Sequence, residues 1–362
     1  MPVSIENKNN FVLEVRGKWM ACNRIKNYPK TKNSQSNRMM YANFLYIFNS
    51  TDITIRGGGK IDGRGYIWWL NTWRVTKKYM PSGARRPNLI AIDYSKRITI
   101  HDLLLKNSPS FHIRASQLMD STFYNLDIKV NTTAQLDIFK RNYLTGTIPL
   151  FPLNTDGIDP AGQNIHIYNI TCQNYDDVVV PKPTHTSPEQ YTNCTQDMLV
   201  ENITIRLGVG LSIGSVPPND NCNCVKNITF RNAKMEKPLK GIYLKTNPGD
   251  SGNGIIQDII YENITMHQPI WWAIYLGPQQ QKQPDKGGPG CMLYPYDPKN
   301  TCATQPRINI SNIQLKNVHI TNSLLFPIVM RCNAKNPCKD VIFDDVQVKG
   351  WLIGKKDKGF VC

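Results

Sequence analysis

The chain has no apolar run approaching the roughly 18 residues that a membrane-spanning helix needs, which excludes a helical membrane protein. It is short of acidic residues: 27 Asp and Glu stand against 43 Lys and Arg, a net charge of +16. That field draws polyanions, whether nucleic acid, anionic lipid or acidic polysaccharide, and composition does not choose among them. With 40% hydrophobic and 19% charged residues, the composition is not that of a disordered chain. No useful stretch repeats its apolar residues at helical spacing, so strands joined by crossover helices are not expected. No Cys/His spacing meets a zinc pattern. No secretory leader opens the sequence, and Met1 to Asn10 is polar. Either a leader has been removed or the protein is cytosolic.

What is present points to an oxidising compartment. Ten cysteines stand at Cys22, Cys172, Cys194, Cys222, Cys224, Cys291, Cys302, Cys332, Cys338 and Cys362. Cys291/Cys302 and Cys332/Cys338 bracket short segments, and several disulfides are expected; a reduced protein with incidental thiols is the alternative. Eight Asn-x-Ser/Thr sequons begin at Asn49, Asn131, Asn169, Asn193, Asn202, Asn227, Asn263 and Asn309. They suit an extracellular glycoprotein, although an Asn-rich chain also makes sequons by chance.

Self-comparison is more informative. One ten-residue pattern recurs nine times, beginning at Thr51, Lys96, Met119, Gln163, Gln196, Lys226, Gln257, Ser311 and Lys339. It reads polar, Asn/Asp-like, apolar, any, apolar, any, Asn/Asp-like, apolar, any, apolar. Each copy is two short strands of period two, joined at an Asn or Asp that tolerates the left-handed conformation. Spacings of 23 to 33 residues correspond to one coil, and those near 45 hide a weak copy or a long loop. Repeated short strands without helices predict an all-β fold, a single-domain right-handed parallel β-helix of roughly ten coils over 1–362. The recurring Asn positions would form a ladder of side-chain amides, which accounts for most of the sequons without glycosylation. The least regular stretch, 277–307, is expected to be a long loop, either functional or a disulfide-pinned decoration.

Asn154-Thr155-Asp156-Gly157-Ile158-Asp159 and Asn174-Tyr175-Asp176-Asp177 lie about one short coil apart. Asp156 should therefore stack beside the Asp176-Asp177 pair. Crowded carboxylates raise at least one pKa, leaving one group protonated as an acid and another ionised as a base. Glycosidic bond hydrolysis requires that division. A metal site or a simple acidic turn is the plainer reading.

These two motifs, with Gly208-Val209-Gly210-Leu211-Ser212-Ile213-Gly214-Ser215 and Gly241-Ile242-Tyr243-Leu244-Lys245-Thr246, resemble glycoside hydrolase family 28, the polygalacturonases and related pectin hydrolases. The resemblance extends to Gly58–Gly65, Trp68-Trp69, Arg86-Pro87-Asn88 and Asn107-Ser108-Pro109. It implies that Asp176 protonates the leaving oxygen, that Asp177 and Asp156 hold the attacking water, and that the anomeric configuration inverts. It implies subsite roles for Asn107, Asn154, Tyr243, Lys245 and Tyr275, and no metal or cofactor. Trp271, Trp272 and Tyr275 could stack on a sugar or simply pack. Two departures matter. The family's Gly-His-Gly reads Gly208-Val209-Gly210 here, and its Arg-Ile-Lys reads Tyr243-Leu244-Lys245. Valine cannot titrate, and one tyrosine hydroxyl does not replace an arginine fork. Both changes point away from unmodified polygalacturonate but not from hydrolase chemistry. His112, His166, His185 and His267 could stand in for the missing histidine, but ordinary surface or turn histidines are preferred. Lys77, Lys78, Arg85 and Arg86 read as a solvated basic face or as a polyanion contact.

The expected function is an inverting hydrolase of an acidic plant or algal cell-wall polysaccharide. Polygalacturonan and rhamnogalacturonan are the alternatives for substrate, and a catalytically silent carbohydrate-binding β-helix is the alternative in class. The protein is expected to be a secreted monomer without nucleic-acid or membrane partners. Lys282 and Lys286 on the long loop would favour attack from a chain end.

Overall fold

The structure, a computed structural model, describes residues 2–32, 39–72, 86–131, 152–184, 193–219, 223–280, 291, 294, 302–352 and 360–361. It is a right-handed parallel β-helix. Each repeat copy forms a rung and pairs with the next copy in the anticipated register. Thr51 pairs with Lys96, Lys96 with Met119, Met119 with Gln163 and Gln163 with Gln196. Gln196 pairs with Lys226, Lys226 with Gln257, Gln257 with Ser311 and Ser311 with Lys339. The copies spaced near 45 residues thus pair directly, with no weak copy between them in the stack. A further rung, Asn9–Glu14, pairs beneath Thr51. It escaped the pattern because Val15 occupies the place of the second Asn or Asp.

The two short strands expected in each copy are continuous in hydrogen bonding, and single strands run as long as Thr195–Val216. The bends between faces are made by Asn and Asp at positive φ, such as Asn169 (54°), Asn202 (56°), Asn232 (56°) and Asn263 (56°). Asparagine accepts this region because its short polar side chain bonds locally. The amides form the expected ladder: Asn169 donates to Asn125 at 3.2 Å, Asn263 to Asn232 at 3.1 Å and Asn317 to Asn263 at 2.8 Å. A second ladder joins Asn164 to Asp120, Asn227 to Asp197 and Asn312 to Asp258. The sequon residues Asn169, Asn227 and Asn263 are therefore committed to holding coils together.

A second face carries an apolar row through the stack: Val3, Leu45, Ile90, Ile113, Ile158, Val179, Leu211, Ile242, Ile274, Ile328 and Phe360, each paired with the next. Its members from Leu45 to Ile274 are fully buried. Each such side chain contributes about 1.5–3 kcal/mol relative to exposure. Outward positions alternate with this row on the same face, among them Ser212, Tyr243 and Tyr275, which pair in sequence.

Disulfides join Cys194 to Cys224, Cys291 to Cys302 and Cys332 to Cys338. The last two are the bracketed pairs. Cys22 and Cys172 are free thiols, the latter buried, and Cys222 and Cys362 lie outside the described residues. The expected loop 277–307 begins later than anticipated. Gly277, Pro278 and Gln279 close the strand Trp272–Gln279, and Pro278 bridges to Thr304. Lys282 and Lys286 lie outside the described residues. Among those residues no helix is long and apolar enough to cross a membrane.

Candidate active site

Backbone geometry brings the two acidic motifs together. Gly157 allows the approach, since a Cβ there would lie 2.4 Å from the Val178 carbonyl oxygen. Asn174 donates to the carbonyls of Thr155 (3.1 Å) and Asp177 (2.8 Å), and the Tyr175 amide donates to Thr155 Oγ1 (3.1 Å). One oxygen from each of Asp156, Asp176 and Asp177 consequently lies within 4.8 Å of the others. The stacking expected from the sequence is present.

The three carboxyl groups have different partners. Asp177 is buried, accepts from Ser212 Oγ at 2.6 Å and is ion-paired with Lys245. Burial pushes its pKa up, but the charges of Lys245 and Lys182 outweigh burial and hold it below the ordinary carboxylate value. Asp176 accepts from the Asn154 amide at 2.8 Å and from the Asp177 amide at 3.0 Å. Burial and the neighbouring Asp177 nevertheless raise its pKa. Asp156 is 2% exposed, and its Oδ1 has no hydrogen-bond donor among the described residues. Burial, Asp159 and Asp176 push it well up. The surroundings therefore favour the ionised form of Asp177 and the neutral forms of Asp176 and Asp156. Lys245 already offsets the charge of Asp177, which leaves that carboxylate less to offer a cation.

Four charged groups frame this cluster, and the sequence singled out only Arg86 among them. Asp159, one turn beyond Asp156, is buried 3.4 Å from Lys182 Nζ, and burial lifts its pKa to about 6 despite that lysine. Lys182 loses to burial but gains more from Asp159 and Asp177, so its pKa rises. Arg86 is not on a solvated face: it donates to Leu153 O at 2.7 Å and Asn154 Oδ1 at 3.2 Å. Burial draws its pKa down to about 10 against the pull of Asp156 and Asp176. Lys240 sits among aromatic rings with its ammonium 3.7 Å from the Tyr243 ring centre. Asp159 closes the first acidic motif, which was its signal; Lys182 lies beyond the second motif and Lys240 comes from another coil, so neither had one, while Arg86 stood in the basic segment read as a possible polyanion contact.

Residues 8–280 match the sequence profile of Glycosyl hydrolases family 28. The chain belongs to that family. It is 25% identical over 314 residues to polygalacturonases of Chamaecyparis obtusa and Cryptomeria japonica, covering 84% of this chain and 51% of each relative. It thus spans about half the length of those relatives. In fold it resembles an exopolygalacturonase from Thermotoga maritima, with TM-score 0.69, 18% identity and coverage of 97% of this chain and 77% of that one. It also resembles an endo-xylogalacturonan hydrolase from Aspergillus tubingensis, with TM-score 0.65, 20% identity and coverage of 96% and 82%.

The remaining family 28 positions fall as follows. Asn154 borders the cluster at a positive φ of 58°. Lys245 is 4% exposed, with its ammonium on Asp177. Asn107 is buried one coil away, and its side chain bonds the Asn131 amide at 2.8 Å and Asp62 at 3.4 Å. Tyr243 is 4% exposed. Tyr275, expected at a subsite, is 1% exposed, and its hydroxyl donates to the Cys291 carbonyl. It packs with Trp272, Tyr294 and Val329, so packing describes Tyr275 and Trp272 here. Val209 brings no titratable group, and none of the described histidines replaces one at that position. His112 is not a surface residue; it sits in the bend between the strands Ile90–Lys106 and Ile113–Lys129. It is fully buried, with its ring Nδ1 2.9 Å from the Asp156 carbonyl oxygen and its Nε2 accepting from the Ser108 amide at 3.3 Å. Burial lowers its pKa to about 4, so it is a neutral prop beneath Asp156. His166 pairs with Glu201 and His267 bonds Thr321. His185, Lys77, Lys78 and Arg85 lie outside the described residues.

Proposed function

We propose that this protein hydrolyses glycosidic bonds in an acidic pectic polysaccharide. Asp176 is the general acid, and Asp177 with Asp156 holds the attacking water. The observation that carries this reading is the opposed shift of adjacent carboxyls, Asp176 raised and Asp177 lowered, with oxygens of both in one cluster. A protonated Asp176 can give its proton to the leaving oxygen as the bond breaks. An ionised Asp177 can take a proton from water as it adds to the anomeric carbon, and Oδ1 of Asp156 is free to orient that water. The hydrolysis adds hydroxyl to one sugar and hydrogen to the other, and Asp176 ends ionised where Asp177 ends protonated. A proton passing between them through solvent resets the site.

Arg86, Lys182, Lys240 and Lys245 surround the cluster with positive charge, which suits a polymer bearing carboxylates. Tyr243 in place of the family's arginine favours a substituted or mixed backbone, such as rhamnogalacturonan, over plain polygalacturonan. We take the β-helix as one catalytic domain acting as a monomer outside the cell, where its disulfides persist. The test is reducing-end release from a panel of pectic polymers, with and without a chelator. Release that survives the chelator supports the reading. Binding without release would make the chain a silent carbohydrate-binding β-helix. Release abolished by the chelator would point to a metal-dependent reaction instead.

A further inference from the structure

The site has a vertical neighbourhood that its own loops do not reveal. On the face that carries the cluster, Asp177 pairs with Val209, Val209 with Lys240, and Lys240 with Trp272. Residues paired in this way stand one above another, about 4.8 Å per coil. Between the carboxylate and the lysine, Val209 contributes only an isopropyl group. Lys240 is 2% exposed. Its ammonium is 3.7 Å from the ring centre of Tyr243, 4.5 Å from that of Tyr275 and 5.3 Å from that of Trp272. The ammonium of Lys245, already on Asp177, is 5.2 Å from the same Tyr243 ring. The two departures from the family pattern therefore meet at one place. Tyr243 contributes the ring face that holds a cation, and Val209 puts no polar group between that cation and Asp177.

An ammonium out of water and away from a carboxylate is costly, and aromatic faces recover only part of the cost. A lysine kept in that condition beside an acid–base cluster marks a functional group. We infer that Lys240 is a positioning residue of this site, whose caged ammonium sets the ionisation of Asp176 and Asp177 in place of the histidine that the family carries at Val209. The inference rests on the hydrolase reading and identifies what regulates its carboxyls. The groups that face Lys240 are Tyr243 and Lys245 from its own strand, Asp176 and Asp177 from the coils below, and Tyr275 from the coil above, with Tyr294 packed on the same aromatic cluster. Burial and Lys245 draw the ammonium down to about 7, against the pull of the two aspartates. It can therefore change charge within an enzyme's working range.

The sign is fixed. A cation near Asp176 and Asp177 favours their ionised forms, so removing it lets both pKa values rise. Lys240→Met should move both limbs of the kcat/KM profile upward by about one pH unit. Lys240→Arg keeps the charge, suits ring faces, and should leave the limbs near their wild-type positions. Carboxyl NMR of protein carrying 13C-labelled aspartate provides a second readout independent of turnover: the Asp176 and Asp177 midpoints should rise in Lys240→Met and not in Lys240→Arg. Unmoved limbs and midpoints in a folded Lys240→Met protein would overturn the inference, as would equal shifts in both variants. If wild type cleaves nothing on the pectic panel, the hydrolase reading fails and the carboxyl titration alone decides. If Lys240→Met does not fold, wild type decides: the carboxyl signals must show an inflection where Lys240 itself titrates, and a smooth curve there refutes the link.

Discussion

Lys245→Met tests how the carboxylates are held. In the wild type the lysine ammonium rests on Asp177, with side chains 5% and 2% exposed. The variant leaves Asp177 with Ser212 Oγ at 2.6 Å but without its ion-pair partner. Breaking a buried ion pair from one side costs about 3–5 kcal/mol, because the remaining charge is stranded. The pH dependence follows from the direction of the shift. In the wild type Asp177 is held below the ordinary value, so its contribution to stability is present above its unfolded pKa and is lost as pH falls through the folded one. Without Lys245, burial is opposed by Lys182 and Ser212 with one charge fewer, and the folded pKa moves up. The variant's deficit should then be largest at pH 7 and shrink towards pH 4, as Asp177 takes up a proton. Urea unfolding of both proteins at the two pH values measures this, provided that the m-value is unchanged. Turnover should fall by about two to four orders of magnitude, with the acid limb displaced upward, since the base must be ionised. A pH-independent deficit below about 1 kcal/mol, or an unmoved acid limb, would refute the assignment of Asp177 as a lysine-held base.

Four further outcomes are expected. Asp176→Asn should lower turnover by about two to four orders while still binding the polymer, and near wild-type turnover would remove Asp176 as the acid. Proton NMR of the first product should show inversion. The cluster makes this a demanding test, because oxygens within 4.8 Å are closer than the about 6.5–9.5 Å usual for an inverting pair, and a retained anomer would turn a carboxylate into a nucleophile. The His112 ring should remain neutral at pH 5.5 in 15N NMR, since burial draws its pKa to about 4, and a protonated ring there would contradict its place beneath Asp156. Attack from chain ends predicts that viscosity falls no faster than reducing ends appear; a viscosity collapse at low conversion would mean internal cleavage.

The β-helix was legible because its periodicity is local. Alternating apolar residues and an Asn or Asp every five residues state the strand, the bend and the ladder within ten positions, and register follows because a slip would turn the apolar row outward. Phe11 to Val15 reads as a strand, but its place in the repeat is lost where that local statement breaks, at Val15. The carboxyl cluster was legible for a related reason. Asp156 and the Asp176-Asp177 pair sit in short motifs about one coil apart, so chain distance predicts spatial distance. The sequence left Tyr275 open between a subsite and packing because its burial depends on Cys291 and Tyr294, which lie in an irregular segment whose path no periodicity fixes.

The electrostatic frame of the site obeys a different rule. Lys245 meets Asp177 across 68 residues and Arg86 meets Asn154 across 68, so no spacing in the chain announces either contact. Substitutions judged against a motif are judged one position at a time. On that reading Val209 and Tyr243 are losses, one of a titratable ring and one of a guanidinium. In the stack they are neighbours of one lysine. Val209 stands directly between Asp177 and Lys240, and the Tyr243 ring carries the Lys240 ammonium on its face. The positive charge absent at position 243 is present three residues earlier on the same strand. A β-helix makes such exchanges inexpensive in structure, because any outward position of one coil has a counterpart about 4.8 Å away on the next. Chemistry can move up or down the column while the aspartates and the ladder beneath them stay in place.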